Sequence, residues 1–327
     1  MSTDEEGFSF LHRFAPSQSD AVAVHPLYRA MSMTSAGCSL QFLTTGSSLS
    51  FLCKRKNMSL RPRAQDRVLD FARLYGQKLD MSDCFDVRVD GRLLPPLLLH
   101  SGRLDASWDN PYEKKVLVEL FFPLLHCVGI KDLVCDAPME MVPKKNGMLL
   151  CLGDSIIQGM LAKRPSLALT ARLSKELNRE VLNQGLTGSL FNAELLQGLD
   201  TLVEAVLVSF GTNDWNILSS LSQLESNVVA FCTRLQELYP NTSVVLLTPL
   251  WRGDCDRTTT MGSFEEMKST IENAAKAFAM VHVVDGLEIS AHDSSFYEDG
   301  FLHPNAKGFA YLAEHLLPYV AYVSNKN

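Results

Sequence analysis

The sequence predicts a two-part protein, in which an all-β sandwich precedes an α/β/α sandwich with a five-stranded parallel sheet. Between residues 28 and 134, short β-like runs are separated by turn residues, which is typical of a β-sandwich. After Gly147, five apolar runs alternate with helical patterns, which requires right-handed crossovers and a parallel sheet with helices on both faces. The five runs lie near residues 149, 181, 206, 244 and 282. A chain of 327 residues is also long for a single domain.

Composition shifts along the chain suggest four segments. Residues 1–23 show little periodicity and are expected to form a partly ordered N-terminal arm. Residues 24–136 form the predicted β-sandwich domain. Residues 137–147 combine prolines, charges and a glycine and are the predicted linker. Residues 148–327 form the predicted α/β/α domain.

Within the β domain, residues 39–43 and 48–52 alternate apolar with polar side chains. The intervening Thr44-Thr45-Gly46-Ser47 is a turn signal, so these two strands are predicted to pair as a hairpin. Further strands are predicted at 84–89, before the turn Asp90-Gly91, and at 116–122 and 130–135.

Three helices of the α/β/α domain have clear signals. Residues 219–238 carry one apolar stripe and end before Pro240. Ser263 and Glu266 form a capping box that opens a second helix. A closing helix is expected over 307–317. The stripe of the first helix consists of Leu221, Leu224, Val228, Phe231, Leu235 and Leu238.

Charge and hydropathy disfavour several classes of partner. The net charge is −7, from 30 basic and 37 acidic side chains. The short basic run at Lys54-Arg55-Lys56, with Arg61 and Arg63 nearby, is more typical of a solvated face than of a nucleic-acid site. The longest apolar run, 116–130, is interrupted by polar residues and proline, so no membrane span is expected.

The N-terminus and the cysteines together favour a cytoplasmic location. Residues 1–10 carry Asp4, Glu5 and Glu6 and lack the pattern of a secretory signal. The eight cysteines contain no Cys-x-x-Cys pair and lie mostly in apolar stretches. They are therefore predicted to be buried free thiols in a reducing compartment.

Residues 148–152 form an apolar run that stops at Gly153-Asp154-Ser155, which predicts a strand buried on both faces with Ser155 at its carboxyl end. Ligands bind at that edge of open α/β sheets, so Ser155 is a candidate nucleophile. A serine in this position more often only caps the following helix. Three further motifs decide in favour of chemistry. They are Asn183-Gln184-Gly185, Gly211-Thr212-Asn213-Asp214, and Asp299 followed by His303-Pro304.

In this order, the four motifs resemble those of the SGNH/GDSL hydrolases, and they span residues 153–304. The resemblance implies a flavodoxin-like sheet, a Ser155–His303–Asp299 triad and an oxyanion hole. The donors of that hole would be the backbone N–H groups of Ser155 and Gly185 and the side-chain amide of Asn213. The N-terminal half, with its runs 35–40 and 121–123, resembles the jelly-roll accessory domain of two-domain carbohydrate esterases.

Each of these site residues also has a purely structural interpretation. Gly185 could be a turn glycine, Asn213 an Asx-turn residue and His303 a helix cap. The chemistry nevertheless suits them, because a serine hydroxyl needs a nearby base, and glycine and asparagine supply N–H donors without a charge.

The acid departs from the family pattern. The usual spacing is Asp-x-x-His, whereas three residues separate Asp299 from His303. Gly300 could absorb the extra residue by adopting a conformation open only to glycine. Glu298, Asp293 or a backbone carbonyl could orient the imidazole instead.

The remaining candidates lie on the same sheet edge. Asp154 and Asp214 are expected to brace loops by accepting backbone N–H groups. Trp215, Trp251 and Arg252 follow strands and could line the substrate pocket, although a core or rim role is equally compatible with the two tryptophans. No motif indicates a phosphate loop or a metal site, so no cofactor is expected.

The sequence therefore predicts a serine esterase that hydrolyses carboxylic esters of short acyl groups, such as acetyl, possibly from carbohydrate. Its expected partner is a small-molecule ester or an acylated carbohydrate, without nucleic acid. The same site could instead serve a lipid or thioester hydrolase or an acyltransferase. A catalytically silent glycan- or protein-binding module is the alternative outside enzymes. The oligomeric state is not predicted.

Overall fold

The computed structural model describes residues 1–56, 83–143, 145 and 147–324. Arg61 and Arg63 of the predicted basic patch, and Lys144 and Asn146 of the predicted linker, lie outside these residues. The strands are β1 (Ser2–Thr3), β2 (Ser9–Phe10), β3 (Ser39–Thr44), β4 (Ser48–Lys56), β5 (Cys84–Val89), β6 (Arg92–Leu93), β7 (Leu97–Leu98), β8 (Gly102–Ser107), β9 (Val116–Phe121), β10 (Cys127–Cys135), β11 (Glu140–Met141), β12 (Met148–Gly153), β13 (Glu180–Gly185), β14 (Ala205–Ser209), β15 (Ser243–Leu247) and β16 (Val281–Val284).

Most of the helices among the described residues belong to the second half of the chain. The α-helices are α1 (Ser19–Ala23), α2 (Pro26–Ser32), α3 (Ser155–Gln158), α4 (Leu169–Leu177), α5 (Thr212–Ile217), α6 (Leu221–Leu238), α7 (Phe264–Lys276), α8 (Gly286–Ile289) and α9 (Ala306–Ser324). Short 3-10 turns lie at Pro16–Gln18, Pro165–Leu167, Ala193–Leu195 and Ser294–Phe296.

The first half folds as two antiparallel sheets around a shared apolar core, as the all-β prediction requires. One sheet has the order β1-β2-β10-β4-β8, and the other β11-β3-β9-β5-β6, with β7 also paired to β5. Side chains from both sheets fill the core, including Phe51 of β4 and Phe85 of β5, whose rings meet edge-on with centroids 5.0 Å apart. Interdigitation of two inner faces is what stabilises a sandwich of this kind.

The predicted hairpin is wrong. β3 pairs with β9 and β11, whereas β4 pairs with β10 and β8, so the turn between them carries the chain from one sheet to the other. Asp136 stabilises this corner, because its Oδ1 accepts the backbone N–H groups of Ser47 and Ser48 at 2.8 and 3.0 Å. Alternation and a glycine indicate a strand, a turn and a strand, but they do not specify which strands pair.

Two segments outside the predicted β domain also join these sheets. β1 and β2, from the predicted arm, extend the first sheet through β10. β11, from the predicted linker, pairs with β3 at the edge of the second sheet. The division of the chain into four segments stays a prediction.

The second half contains the predicted five-stranded parallel sheet, in the order β13-β12-β14-β15-β16. The strand that comes first along the chain, β12, lies between the second and the third, which is the flavodoxin-like order. Alternate residues of these strands face two separate cores. Helices α4 and α9 cover one face, and α6 and α7 cover the other. The α/β/α prediction is confirmed.

Helix boundaries follow local capping chemistry except at the C-terminal end. α7 begins at the predicted capping box, in which the Ser263 Oγ accepts the Glu266 N–H at 3.2 Å and the Glu266 carboxylate accepts the Ser263 N–H at 2.8 Å. α9 extends beyond the predicted end at residue 317 and contains Pro318. Proline disfavours a helix interior, but burial of Val320 and Val323 in the core outweighs this local preference.

Three further features concern the described residues. All eight cysteines are free thiols. None of the helices in these ranges combines the length and the apolar character needed to cross a membrane. No group of three or more His, Cys, Asp or Glu side chains among the same residues is arranged to hold a metal ion.

Candidate active site

The candidate site lies at the carboxyl edge of the parallel sheet, where the strand order reverses. β12 ends next to β13 on one side and β14 on the other, so Gly153 is in register with both Gly185 and Ser209. Residues that follow these three strands therefore meet at one point of the sheet edge. Ligands bind in α/β sheets at such a reversal, because neighbouring loops diverge there.

A tight turn presents Ser155 at this edge. Gly153 has no room for a side chain, since a Cβ atom would lie 2.3 Å from Ile157 Cγ1 and 2.6 Å from the Ser209 carbonyl oxygen. Asp154 caps the short helix α3, and its Oδ1 accepts the Ile156 N–H at 2.9 Å. Ser155 is the first residue of that helix, so its own N–H has no acceptor within the helix.

Ser155, His303 and Asp299 form a continuous chain of hydrogen bonds. Ser155 Oγ lies 3.0 Å from His303 Nε2, and His303 Nδ1 lies 2.6 Å from Asp299 Oδ2. All three side chains are buried, with residue exposures of 4%, 7% and 1%. The structure thus brings together the three residues that the sequence assigned to the triad, although they come from segments about 150 positions apart.

The extra residue between Asp299 and His303 is absorbed by a loop that wraps around the carboxylate. Gly300 has φ +80°, a conformation that favours glycine. Asp299 Oδ1 accepts the backbone N–H groups of Phe301, Leu302 and His303 at 3.2, 2.9 and 3.0 Å. Burial opposes ionisation of Asp299, but His303 and these N–H donors outweigh it and lower its pKa to about 2.

The alternative acids are engaged elsewhere. Glu298 forms an ion pair with Lys163 at 2.7 Å, and Asp293 Oδ1 accepts the Ser295 N–H at 2.8 Å. Neither contacts the imidazole through these bonds. Asp299 is consequently the carboxylate placed to orient His303.

Asn213 lies at the start of α5, with its side-chain amide held from two sides. Its Nδ2 donates to the Ser189 carbonyl oxygen at 3.1 Å and approaches Asp154 Oδ2 at 3.4 Å. Asn213 is partly exposed, in contrast to its buried neighbours Thr212 and Asp214. The amide is thereby fixed beside the turn that carries Ser155.

Gly185 does not provide the free donor that the sequence suggested. Its N–H donates to Asn183 Oδ1 at 3.0 Å. Its missing side chain serves packing instead, since a Cβ atom there would lie 2.3 Å from the Gln158 backbone nitrogen. Gly185 therefore allows helix α3 to approach β13, and its assignment to the oxyanion hole needs correction.

Gly188 is the residue that sequence reasoning missed. It lies in the glycine loop (residues 185–189), has φ +81° and is partly exposed. Its N–H has no hydrogen-bond acceptor among the described residues, and the next residue, Ser189, holds the Asn213 amide. The signal was a second glycine three positions after the first.

Asp154 and Asp214 brace loops, as expected. Asp214 Oδ1 accepts the Phe191 N–H at 3.1 Å, while its Oδ2 is buried without a hydrogen-bond partner in the described residues. Burial raises the pKa of Asp154 to about 6. Burial, with a smaller contribution from Asp154, raises the pKa of Asp214 to about 7.

Two of the three predicted pocket residues lie behind the site. Trp215 is fully buried in the core, and its indole N–H donates to the Gly262 carbonyl oxygen at 3.0 Å, so its assignment to the pocket is wrong. A large apolar ring is stabilised more by the core than by a partly wet rim, which the motif alone does not reveal. Arg252 is 2% exposed and donates to Thr212 Oγ1 at 2.9 Å while pairing with Asp254.

Trp251 is partly exposed, unlike the other two. Its ring packs against Tyr297, with centroids 5.0 Å apart, and stacks on His292 at 6.0 Å. Tyr297 lies two residues before Asp299. Trp251 is therefore the predicted pocket residue that can present an aromatic surface close to the triad loop.

A serine, a histidine and an aspartate in hydrogen-bonded sequence on a flavodoxin-like sheet define a class of acyl-transferring hydrolases. Sequence comparison is consistent with this class, because residues 151–311 match the GDSL-like Lipase/Acylhydrolase family. The chain thus contains a GDSL-like lipase/acylhydrolase domain preceded by a β domain. No curated protein sequence matches the chain significantly.

Solved structures with similar folds include the β domain as well. The chain is similar to the salicylyl-acyltransferase SsfX3 from a tetracycline biosynthetic pathway, with a TM-score of 0.73 and 18% identity over 96% of this chain and 90% of that one. It is also similar to a putative GDSL-like lipase from Bacteroides ovatus, with a TM-score of 0.72 and 20% identity over 99% of this chain and 94% of that one. For a family two carbohydrate esterase from Clostridium thermocellum, the TM-score is 0.64 and the identity 14%, over 89% of this chain and 93% of that one.

Proposed function

We propose that this protein is a serine esterase that hydrolyses carboxylic esters of short acyl groups. The observation that carries the proposal is the unbroken hydrogen-bond chain from Ser155 through His303 to Asp299, at the reversal point of the sheet. A hydroxyl with an imidazole in hydrogen-bond reach, and a carboxylate behind that imidazole, is the arrangement that acyl transfer needs.

In the proposed reaction, His303 Nε2 accepts the Ser155 hydroxyl proton as Oγ attacks the ester carbonyl carbon. Asp299 keeps the other proton of the imidazole on Nδ1 and stabilises the imidazolium that forms. His303 then gives its proton to the departing alcohol as the ester C–O bond breaks. Water attacks the acyl-Ser155, His303 accepts its proton and returns a proton to Ser155 Oγ, and the carboxylic acid leaves.

The negative charge on the carbonyl oxygen requires hydrogen-bond donors that are in place before the reaction. We assign this role to the N–H groups of Ser155 and Gly188 and to the Asn213 side-chain amide. The first is a helix N-terminal amide without an intrahelical partner, and the second has no acceptor among the described residues. The third is anchored by Ser189 beside the Ser155 turn.

The substrate we propose is a small ester, with an acetylated carbohydrate as the preferred class. Two features favour it: the β domain before the hydrolase domain, shared in outline with a solved carbohydrate esterase, and the partly exposed Trp251, an aromatic side chain against which a sugar ring can pack. Acyl transfer to an alcohol is the second candidate, which the similarity to a salicylyl-acyltransferase favours. The free cysteines suit a reducing compartment such as the cytoplasm.

Labelling with a fluorophosphonate probe, together with hydrolysis of p-nitrophenyl esters of increasing chain length and of acetylated sugars, tests the proposal. We expect the wild type to be labelled and to prefer the short esters. Ser155→Ala should abolish labelling and lower kcat by about 10⁴–10⁶-fold. Asn213→Ala should lower kcat by about 10²–10³-fold.

Ser226→Ala is the matched control, since Ser226 is exposed on α6 and bonds only within its helix. It should retain both labelling and activity. If the folded wild type is neither labelled nor active, the esterase proposal fails and the binding-module alternative gains. Acylated product that predominates when an acceptor alcohol is added would instead identify a transferase.

A further inference from the structure

Arg13 is a buried cation that joins the N-terminal segment (residues 13–34) to the glycine loop. Its residue exposure is 2%. One of its terminal nitrogens donates to the carbonyl oxygens of Asn183 and Gly185, both at 2.9 Å. The other donates to the Met31 carbonyl oxygen at 2.6 Å and to Thr34 Oγ1 at 3.1 Å, and Nε donates to the Thr34 carbonyl oxygen at 3.0 Å.

The Asn183 and Gly185 carbonyl oxygens lie where β13 passes into the glycine loop. The Asn183 side chain extends the contact, because its Oδ1 accepts the Gly185 N–H while its Nδ2 donates to the Ile157 carbonyl oxygen at 2.8 Å. Ile157 belongs to α3, the helix that begins with Ser155. Arg13 is thus linked to both parts of the proposed oxyanion hole: directly to the start of the glycine loop, and through Asn183 to helix α3.

A second buried link runs in parallel through Gln158, also on α3. Its Oε1 accepts the Thr187 N–H at 2.9 Å, and its Nε2 donates to Thr34 Oγ1 at 3.3 Å. Thr34 is the same residue that Arg13 holds. The N-terminal segment, the helix of Ser155 and the glycine loop therefore share one polar network.

Charge distinguishes Arg13 from a routine structural arginine. All of its hydrogen-bond acceptors are neutral oxygens, and no carboxylate among the described residues pairs with it. An unpaired buried cation is unfavourable unless dense hydrogen bonding compensates it, so a neutral side chain would suit mere packing better. The fork of a guanidinium can hold several backbone oxygens in fixed directions at once.

We propose that Arg13 is a positioning residue of the active site, which holds the carbonyl oxygens of Asn183 and Gly185 so that the glycine loop presents the Gly188 N–H to the ester carbonyl beside Ser155. This inference rests on the esterase function proposed above. It makes the N-terminal segment part of the catalytic apparatus, with Arg13 acting through the glycine loop and not on the reacting atoms.

The test compares Arg13→Met and Arg13→Lys with Arg172→Met in the full chain. Arg172 is the matched control, because its guanidinium also donates to backbone carbonyl oxygens, those of Leu167 and Ala306, but to none in the glycine loop. Values of kcat and KM for p-nitrophenyl acetate are measured well below the unfolding temperature of each variant. Hydrogen exchange of the Leu186, Thr187 and Ser189 amides is followed in parallel.

We expect Arg13→Met to lower kcat by about 10²-fold, as expected for an impaired oxyanion hole, with KM nearly unchanged. Exchange in the glycine loop should accelerate. The kcat of Arg13→Lys should lie between those of the wild type and Arg13→Met, since one ammonium group cannot reach both groups of acceptors. Arg13 lines a cavity of about 490 Å³, so added methylguanidinium should restore part of the lost kcat of Arg13→Met. Arg172→Met should change neither kcat nor the loop exchange.

A lower unfolding temperature with unchanged kcat and unchanged loop exchange would overturn the proposal and leave Arg13 a stabilising residue only. An equal loss of kcat in Arg172→Met would overturn it as well. Failure of the esterase proposal is recognised separately, by an inactive and unlabelled wild type. The loop exchange of Arg13→Met would still decide whether Arg13 positions the loop.

Discussion

The two sides of the candidate site place buried carboxyl groups in opposite electrostatic environments. On the acid side, Asp299 faces His303 and three backbone N–H groups, and its pKa falls to about 2. On the oxyanion side, neither Asp154 nor Asp214 faces a cation among the described residues as close as His303 is to Asp299, and burial raises their pKa values to about 6 and about 7. Burial alone therefore does not decide ionisation; the donors that face the carboxyl group do.

This difference suits the proposed chemistry. A fully ionised Asp299 stabilises the positive imidazolium that forms on His303. A fully ionised carboxylate beside Asn213 would instead repel the negative charge that develops on the substrate carbonyl. Near neutral pH, Asp214 with its pKa of about 7 is about half ionised, whereas Asp154 with its pKa of about 6 is still mostly ionised.

Neutralising Asp299 tests the acid side and should have the largest effect. Asp299→Asn retains the shape of the side chain but cannot hold the imidazole in the tautomer that leaves Nε2 free to accept the Ser155 proton. We expect kcat for a p-nitrophenyl ester to fall by about 10³–10⁴-fold. Steady-state kinetics at neutral pH measure the loss.

Glu298→Gln is the matched control, because it neutralises the adjacent carboxylate, which pairs with Lys163 rather than with His303. The kcat of Glu298→Gln should stay within about threefold of the wild-type value. A comparable loss in both variants would mean that the local loop, and not the Asp299 charge, is what His303 requires.

The acid side was also the side that the sequence described best. The motifs locate Ser155 and His303 because Ser155 follows the apolar run of β12 and His303 lies just before the last helix, and strand ends are predictable from apolar runs. Asp299 lies four positions before His303 in the same motif. Even the irregular spacing could be resolved, since Gly300 is a residue that can adopt positive φ. The parallel sheet follows from the same runs.

The oxyanion side was predicted less well, because its geometry depends on distant side chains. Gly185 and Gly188 are the same residue type in the sequence, and the structure distinguishes them: the Asn183 side chain accepts the Gly185 N–H, whereas Gly188 has positive φ and is partly exposed. Arg13 contacts residues 170 positions away, and Trp215 turns into the core. Pairing of β3 and β4 failed for the same reason, since local patterns do not specify distant partners.

Neutralising Asp154 tests the oxyanion side and should have an intermediate effect. Asp154→Asn keeps an acceptor for the Ile156 N–H, but its new amide faces the Asn213 amide, donor against donor. Displacement of Asn213 should lower kcat by about 10–100-fold with KM nearly unchanged, because the hydrogen bond from the Asn213 amide forms to the oxyanion of the transition state and not to the bound substrate.

Asp214→Asn serves as the comparison, since Asp214 bonds the Phe191 backbone and not Asn213. Its kcat should stay within about threefold of the wild type. If Asp154→Asn instead raises KM while kcat is unchanged, Asp154 contributes to substrate binding rather than to the oxyanion hole.

The smallest effect is expected for stability, and it separates the two kinds of carboxyl group by the sign of their pH dependence. Asp299, with a lowered pKa, stabilises the fold above its unfolded pKa of 3.8 and loses this contribution as pH falls through about 2. Asp214, with a raised pKa, stabilises the fold fully below 3.8 and loses this contribution as pH rises through about 7.

Asp214→Asn removes the titrating group, so its free energy of unfolding relative to the wild type should rise between pH 5 and pH 8 by on the order of 2 kcal/mol. Urea unfolding at the two pH values measures this difference. A new buried amide has a cost of its own, but that cost is independent of pH and cancels in the comparison. If the relative stability is the same at both pH values, Asp214 is ionised throughout, and the contrast with Asp299 does not hold at this position.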